Sequence, residues 1–331
     1  MDAVGTGMTA ASAPGKVILM GEHAVVFGRP AIALAIDLRL RCSVRPSSSP
    51  TLNGQPMDDR AGPYLSTVLR EHHTGGPLAI EITSDLPAGS GLGSSAAVTV
   101  AALGALSASR DGIDQEDIAR KAFDIESTVQ GRASPIDTSI SSHGGGIFIS
   151  SKETDGLLWE ISRDTRRWFV HECRTPQMTL VVGFTGNKAP TGPLVAKVRR
   201  YAERSGFARD IIDEIGALTQ EGRARLDAGD VEALGRLLTK NHNLLAILGV
   251  STPALQKLVD AALPYSYGAK LTGAGGGGSM LALTDRPEKV AEAIKARGGT
   301  PFIVRTGAEG VRAEQGTDRR SGPIEHHIRE K

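Results

Sequence analysis

The sequence predicts an α+β protein of two domains. Short apolar runs bounded by glycine and proline fill the first half, at 16–20, 31–37, 38–46 and 76–87, and read as strands. The stretch 193–249 carries apolar residues at three- and four-residue steps, the helical period. A chain of 331 residues also exceeds one folding unit of about 100–200 residues. The expected division is 1–172, 173–315 and a polar tail at 316–331.

The elements follow in order. "KVILM" and "AIALAID" are strands around "GEHAVVFGRP", "LRLRCSVRP" alternates as a further strand, and 47–56 is a loop. The run 76–87 is a strand entering "SDLPAGSGLGSSAAV", and an alanine-rich helix follows from 94 to 107. Asp114 caps a second helix, with Asp117 three positions on. Strands are expected at 144–150 and 178–185, with charged segments between them. Helices are expected across 193–249, then at "TPALQKLVDAALP" and "RPEKVAEAIKARG". "YGAKLTGAGGGGSMLALT" is a second glycine-rich turn leading into a strand, and "TPFIVRTG" is the last strand.

Composition narrows the function. Lysine plus arginine (38) balances aspartate plus glutamate (37), and aromatics make up 4%. No broad field holds nucleic acid or an anionic membrane, and stacking platforms are scarce, so any anion site is local. The longest apolar run, near 96–106, is far short of the ~20 residues that span a bilayer. The N-terminus lacks the basic and apolar regions of a signal peptide. Two isolated cysteines, Cys42 and Cys173, read as reduced thiols in a cytoplasmic protein.

The stretch 86–97 is the first functional candidate. Gly89, Gly91 and Gly93 permit close backbone approach, and Ser94 and Ser95 open a helix whose free N–H groups and dipole suit a phosphate. Its spacing is neither that of a Walker loop nor of a dinucleotide fingerprint. The run "GAGGGG", at 273–278, is the second candidate. So much backbone freedom is costly to order, and two such loops in a neutral chain favour a phosphate-rich ligand over plain turns.

Two carboxylates stand out. On a helix at ~100° per residue, Glu126 falls on the apolar shoulder, beside the stripe of Ile118, Ala122, Ile125 and Val129. A salt bridge would explain it; a Mg²⁺ ligand is the sharper reading. Asp137 follows eleven positions on, in "GRASPIDTSISSHGGG", where a turn or cap aspartate is the plainer alternative.

Together "APGKVILMGEHAVVFGRPAIALAI" (13–36), "LPAGSGLGSSAA" (86–97) and "KLTGAGGGG" (270–278) resemble, in order and separation, the three motifs of the galactokinase, homoserine kinase, mevalonate kinase and phosphomevalonate kinase (GHMP) superfamily. "GEHAVVFG" and "QGRASPIDT" resemble its archaeal mevalonate kinase branch. The resemblance implies a two-domain kinase fold. The N-terminal half would be similar to the second domain of a ribosomal protein, and the C-terminal half to a ferredoxin. It implies ATP and Mg²⁺ as cofactors, transfer of the γ-phosphoryl to the C5 hydroxyl of mevalonate in isoprenoid biosynthesis, and a homodimer as the family's habit.

The same resemblance assigns residues. The ATP phosphates would lie on Pro87, Ala88, Gly89, Ser90, Gly91, Leu92, Gly93, Ser94, Ser95, Ala96 and Ala97. Ser94, Ser95 and Glu126 match metal ligands, without a choice between the serines. Asp137 and Lys16 match the catalytic pair, and Glu22, His23, Thr191, Gly273, Ala274 and Gly275 match positions around substrate. The glycine run 273–278 would be a mobile flap. Departures are "SPID" for the usual "PSGID", Ser279 where many members have cysteine, and no basic residue just before Thr191, where Ala189 and Pro190 stand. The lysine of "PGK" disfavours a galactokinase and Asp137 disfavours a homoserine kinase. Phosphomevalonate kinase, mevalonate 3-kinase and a non-catalytic ATP-binding sensor remain as rivals.

Overall fold

The computed structural model describes residues 7–57, 62–108, 112–131, 133–187 and 191–315. Its first strand, β1 (Thr9–Met20), runs antiparallel to β2 (Ala31–Pro46) along most of their length. The sequence suggested two strands here, 31–37 and 38–46; the strand is continuous. The expected break marks a change of partner on the far edge. There 31–34 pairs with β6 (Gly146–Ser150), and 40–46 pairs with β5 (Leu78–Ser84). A bulge between Pro14 and Gly15 interrupts β1, as expected where proline lacks the ladder donor.

The loop expected at 47–56 holds two short strands, β3 (Thr51–Leu52) and β4 (Gln55–Pro56). Further elements were not anticipated, among them a helix and a hairpin. Helix α1 (Gly62–His72) follows, with Pro63 in its first turn. Strands β7 (Leu157–Arg163) and β8 (Arg166–Glu172) form a tight hairpin whose turn residue Asp164 sits at φ 53°. Charged residues around that turn hide the alternation of Trp159, Ile161, Trp168 and Val170, all of which are buried.

The first sheet is completed by β13 (Arg312–Glu314), which returns to pair with β1. Helices α2 (Ser94–Ser107), α3 (Gln115–Gln130) and α4 (Ile136–His143) pack with it. Asp114 caps α3 as expected, accepting from the backbone N–H groups of Glu116 and Asp117.

The second sheet has the order β10–β11–β9–β12 and is antiparallel throughout. Its strands are β9 (Thr179–Phe184), β10 (Gly268–Thr272), β11 (Ser279–Leu283) and β12 (Thr300–Arg305). Five helices belong to this half: α5 (Thr191–Arg204), α6 (Gly206–Ala228), α7 (Val231–Ile247), α8 (Pro253–Ala262) and α9 (Pro287–Ala296). This agrees with the α+β expectation. One apolar cluster joins the halves, since Leu180, Leu218, Leu238 and Leu281 pack into the same core as Leu19, Leu34 and Leu92. Among the described residues, no helix is long and apolar enough to cross a membrane.

Candidate active site

Helix α2 begins at Ser94, as the sequence indicates, and its cap residue Gly93 has φ 81°. No side chain caps it, so the first N–H groups of the helix are left for a ligand. The glycine is required sterically as well: a Cβ there would meet Lys16 Cγ at 2.8 Å. Lys16 thus passes directly across the head of the helix, and its own backbone N–H donates to the Leu92 carbonyl at 3.0 Å.

Within the loop, Ser90 is fully buried and its hydroxyl donates to the Pro87 carbonyl at 2.8 Å. The side chains of Leu92, Ala96 and Ala97 are also buried. Of the expected phosphate-loop residues, these four have side chains turned inward. Ser94 and Ser95 are half-buried, at the open end of the helix.

Lys16 Nζ lies 3.0 Å from Asp137 Oδ2, with side chains 4% and 24% exposed. Asp137 sits in the first turn of α4. The third expected participant, Glu126, is buried on α3. Its Oε1 accepts from Gln130 Nε2 at 3.0 Å, while Oε2 is buried without a hydrogen-bond partner. Burial, with Asp137 nearby, pushes this carboxyl up to about 8, against the pull of Lys16. A buried carboxylate oxygen with no donor is suited to a cation. Among the described residues no three His, Cys, Asp or Glu side chains form a metal cage. The expected donor set, one carboxylate and two hydroxyls beside uncapped helix N–H groups, would fit Mg²⁺, an ion held by few protein oxygens plus phosphates.

The second glycine run faces the first. Ser279 Oγ donates to the Ser90 carbonyl at 2.7 Å, and so ties the two loops together. A Cβ at Gly275 would lie 2.2 Å from the Val250 carbonyl oxygen, which makes glycine obligatory there. His23, at φ 61°, reaches this run through Nε2, which donates to the Ala274 carbonyl at 2.8 Å. That bond fixes the Nε2–H tautomer and leaves Nδ1 bare; Nδ1 is buried and unpartnered. Burial holds His23 below its ordinary range.

Glu22 is held among protein partners. It is 1% exposed and forms an ion pair with Lys270, itself fully buried on β10. Its other oxygen, Oε2, accepts from Asn241 Nδ2 at 3.2 Å. Burial pushes the Lys270 ammonium below its usual range, with Glu22 pulling the other way. Thr272 strengthens the same seam: its hydroxyl donates to the Ile18 carbonyl at 3.0 Å and accepts from the Ile18 N–H at 3.1 Å.

Thr191 opens α5; its side chain, like Ala189, Pro190 and the tail at 316–331, lies outside the described residues. The sequence reading missed Tyr64, Gln130, Lys270 and Asn241. A lysine inside the apolar run of β10, and a glutamine four positions after Glu126, were the available signals for two of them.

The GHMP kinase N-terminal domain model matches residues 64–145, and the GHMP kinase C-terminal model matches 223–300. The mevalonate kinase of Pyrococcus abyssi is 39% identical over 92% of this chain and 97% of its own length. The chain belongs to the GHMP kinase family. The mevalonate kinase of Archaeoglobus fulgidus, 38% identical over 92% of this GHMP kinase, is a further relative. Among solved structures, L. major mevalonate kinase in complex with R-mevalonate is similar, with a TM-score of 0.78 and 26% identity over 92% of this chain and 97% of that one. Methanococcus jannaschii mevalonate kinase follows, with a TM-score of 0.72 and 28% identity over 92% and 99%. The resemblance read from the three motifs is thereby borne out, and the GHMP kinase is an enzyme.

Proposed function

We propose that this GHMP kinase transfers the γ-phosphoryl of ATP to the C5 hydroxyl of mevalonate, giving 5-phosphomevalonate. The observation that carries the reading is the Lys16–Asp137 pair, 3.0 Å apart, crossing the uncapped head of α2. Phosphoryl transfer needs positioning and charge neutralisation more than covalent chemistry. The backbone donors of 89–95 receive the phosphates. Asp137 accepts or orients the hydroxyl proton, and Lys16 steadies the negative charge on both the attacking and the transferring oxygens.

Glu126, Ser94 and Ser95 would hold Mg²⁺, which when bound neutralises phosphate charge. His23, Thr191 and the backbone of Gly273, Ala274 and Gly275 are assigned to the substrate side, with 273–278 as the moving cover. Glu22 enters as the anchor of His23, since both its oxygens have partners inside the protein. The relatives at 36–39% identity are all named mevalonate kinase, which supports this substrate over phosphomevalonate. A cytoplasmic setting fits the two buried free thiols, Cys42 and Cys173. A homodimer is proposed from the family's habit and is tested by light scattering.

The test is ADP release from the purified chain with Mg·ATP and mevalonate, phosphomevalonate, homoserine or galactose in turn, with product position read by phosphorus NMR. A signal with mevalonate alone, with phosphate on C5, is expected. ATP binding without turnover on any acceptor would instead favour a sensor, and a C3 product a mevalonate 3-kinase.

A further inference from the structure

One feature of the site is explained neither by the phosphate loop nor by the Lys16–Asp137 pair. Gln130 lies one turn beyond Glu126 on α3 and donates twice through the same amide nitrogen. One bond goes to Glu126 Oε1 at 3.0 Å and the other to the Tyr64 hydroxyl at 2.7 Å. In both bonds the amide nitrogen donates and the partner oxygen accepts. Tyr64 comes from α1, a different element. Its phenol is half-buried, interacts with the Ser95 side chain and feels the charges of both Glu126 and Asp137. Tyr64 on α1 therefore stands between Gln130 on α3 and the Ser95 side chain on α2.

We propose that Tyr64 and Gln130 are positioning residues for the metal site. They hold Glu126 with Oε1 engaged and Oε2 presented, and they fix the distance between that oxygen and the Ser95 hydroxyl. The asymmetry of Glu126 carries this. One oxygen is saturated by an amide and the other is buried with no partner. A carboxylate free to rotate would share the amide between its oxygens and offer a cation no defined face. Partners one bond removed from a ligand commonly set metal affinity by about 10–100-fold. The inference rests on the reading of Glu126 as a metal ligand, so the test separates the two.

The measurement is Mn²⁺ binding by electron paramagnetic resonance, with a non-hydrolysable ATP analogue present at a fixed concentration and pH. Wild type is compared with Gln130→Met, Tyr64→Phe and Glu126→Gln, and melting curves are recorded for each. Methionine keeps the length of glutamine without its donor, and phenylalanine keeps the ring. Gln130→Met should weaken Mn²⁺ by about tenfold, and Tyr64→Phe by less. The Mg²⁺ concentration for half-maximal turnover should move in parallel, with the KM for mevalonate unchanged. Mn²⁺ weakened by Glu126→Gln but not by the other two overturns the proposal and leaves the metal site standing. Mn²⁺ untouched by Glu126→Gln overturns both. Loss of Mn²⁺ in Gln130→Met accompanied by a lower melting temperature and a raised KM for mevalonate marks a merely structural residue, and also overturns it.

Discussion

Among the described residues two buried lysines pair with carboxylates, and the pairs differ in one respect. Lys270 and Glu22 are sealed, 0% and 1% exposed, with Asn241 on the remaining oxygen. Lys16 is as buried as they are, but its partner Asp137 is 24% exposed and stands at the head of a helix with free N–H groups. A sealed pair has no access to a substrate, so it joins strands: here the chain after β1 to β10, one from each half. A pair open on the carboxylate side can exchange a proton with something that arrives. Access, more than burial or pairing, separates the structural lysine from the one proposed for the chemistry.

The largest effect should come from the open pair. Asp137→Ala is expected to lower turnover by roughly 10³-fold, within the range ascribed to proton transfer by a positioned side chain, with the melting temperature near that of wild type. Steady-state ADP release decides; activity close to wild type would remove Asp137 from the chemistry and dissolve the contrast. Lys270→Met should do the reverse. It leaves Glu22 as an uncompensated buried charge and costs about 3–5 kcal/mol, read by urea denaturation. Replacing Glu22 by Gln in the same chain should recover part of that loss.

A smaller effect sharpens the chemical end of the comparison. Glu126→Gln should raise the Mg²⁺ concentration for half-maximal turnover by about tenfold; an unmoved Mg²⁺ titration removes Glu126 from the site. Acidification separates the groups by sign. Burial holds His23, His143, His171 and His242 below their ordinary value of 6.5. The unfolded chain therefore takes up protons first, and the stability these groups allow is complete above pH 6.5 and lost as the pH falls through their folded values. Glu126 acts oppositely: raised from 4.5 to about 8, it favours the folded chain below 4.5 and loses that contribution as the pH rises to 8. Melting temperatures from pH 8 to 5.5 should fall for wild type and fall more steeply for Glu126→Gln. The smallest change is expected of Ser279→Ala, which removes the bond to the Ser90 carbonyl and costs about 1 kcal/mol.

How much of this was legible in the sequence follows from range. The glycine loop, the start of α2, the Asp114 cap and the shoulder position of Glu126 depend on neighbours within a turn or two, and all could be read. The hairpin of β7 and β8 was hidden by arginines at its turn, and α1 by the proline and charges before it. The partners of Glu22 lie 219 and 248 positions away, and no local pattern reports them. Tyr64 reaches Gln130 across 66 positions for the same reason. Local pattern therefore exposed the groups proposed to react and concealed their long-range partners.

Helix α2 has no polar face. From Ala96 to Leu106 all but Val98 are buried, and a Cβ on Gly104 would meet Val311 Cγ2 at 2.8 Å and Ala11 Cβ at 3.0 Å. Such a helix cannot shift to follow a ligand without unpacking the centre of the N-terminal half. On the proposed reading the phosphate end of the ATP site is in effect an anvil, and any cover over ATP would be the hammer from the opposite side. An anvil set into the core also has no failure mode of its own. On heating, loss of nucleotide binding and loss of the fold should coincide as a single event, with no warmed, intact but empty enzyme in between.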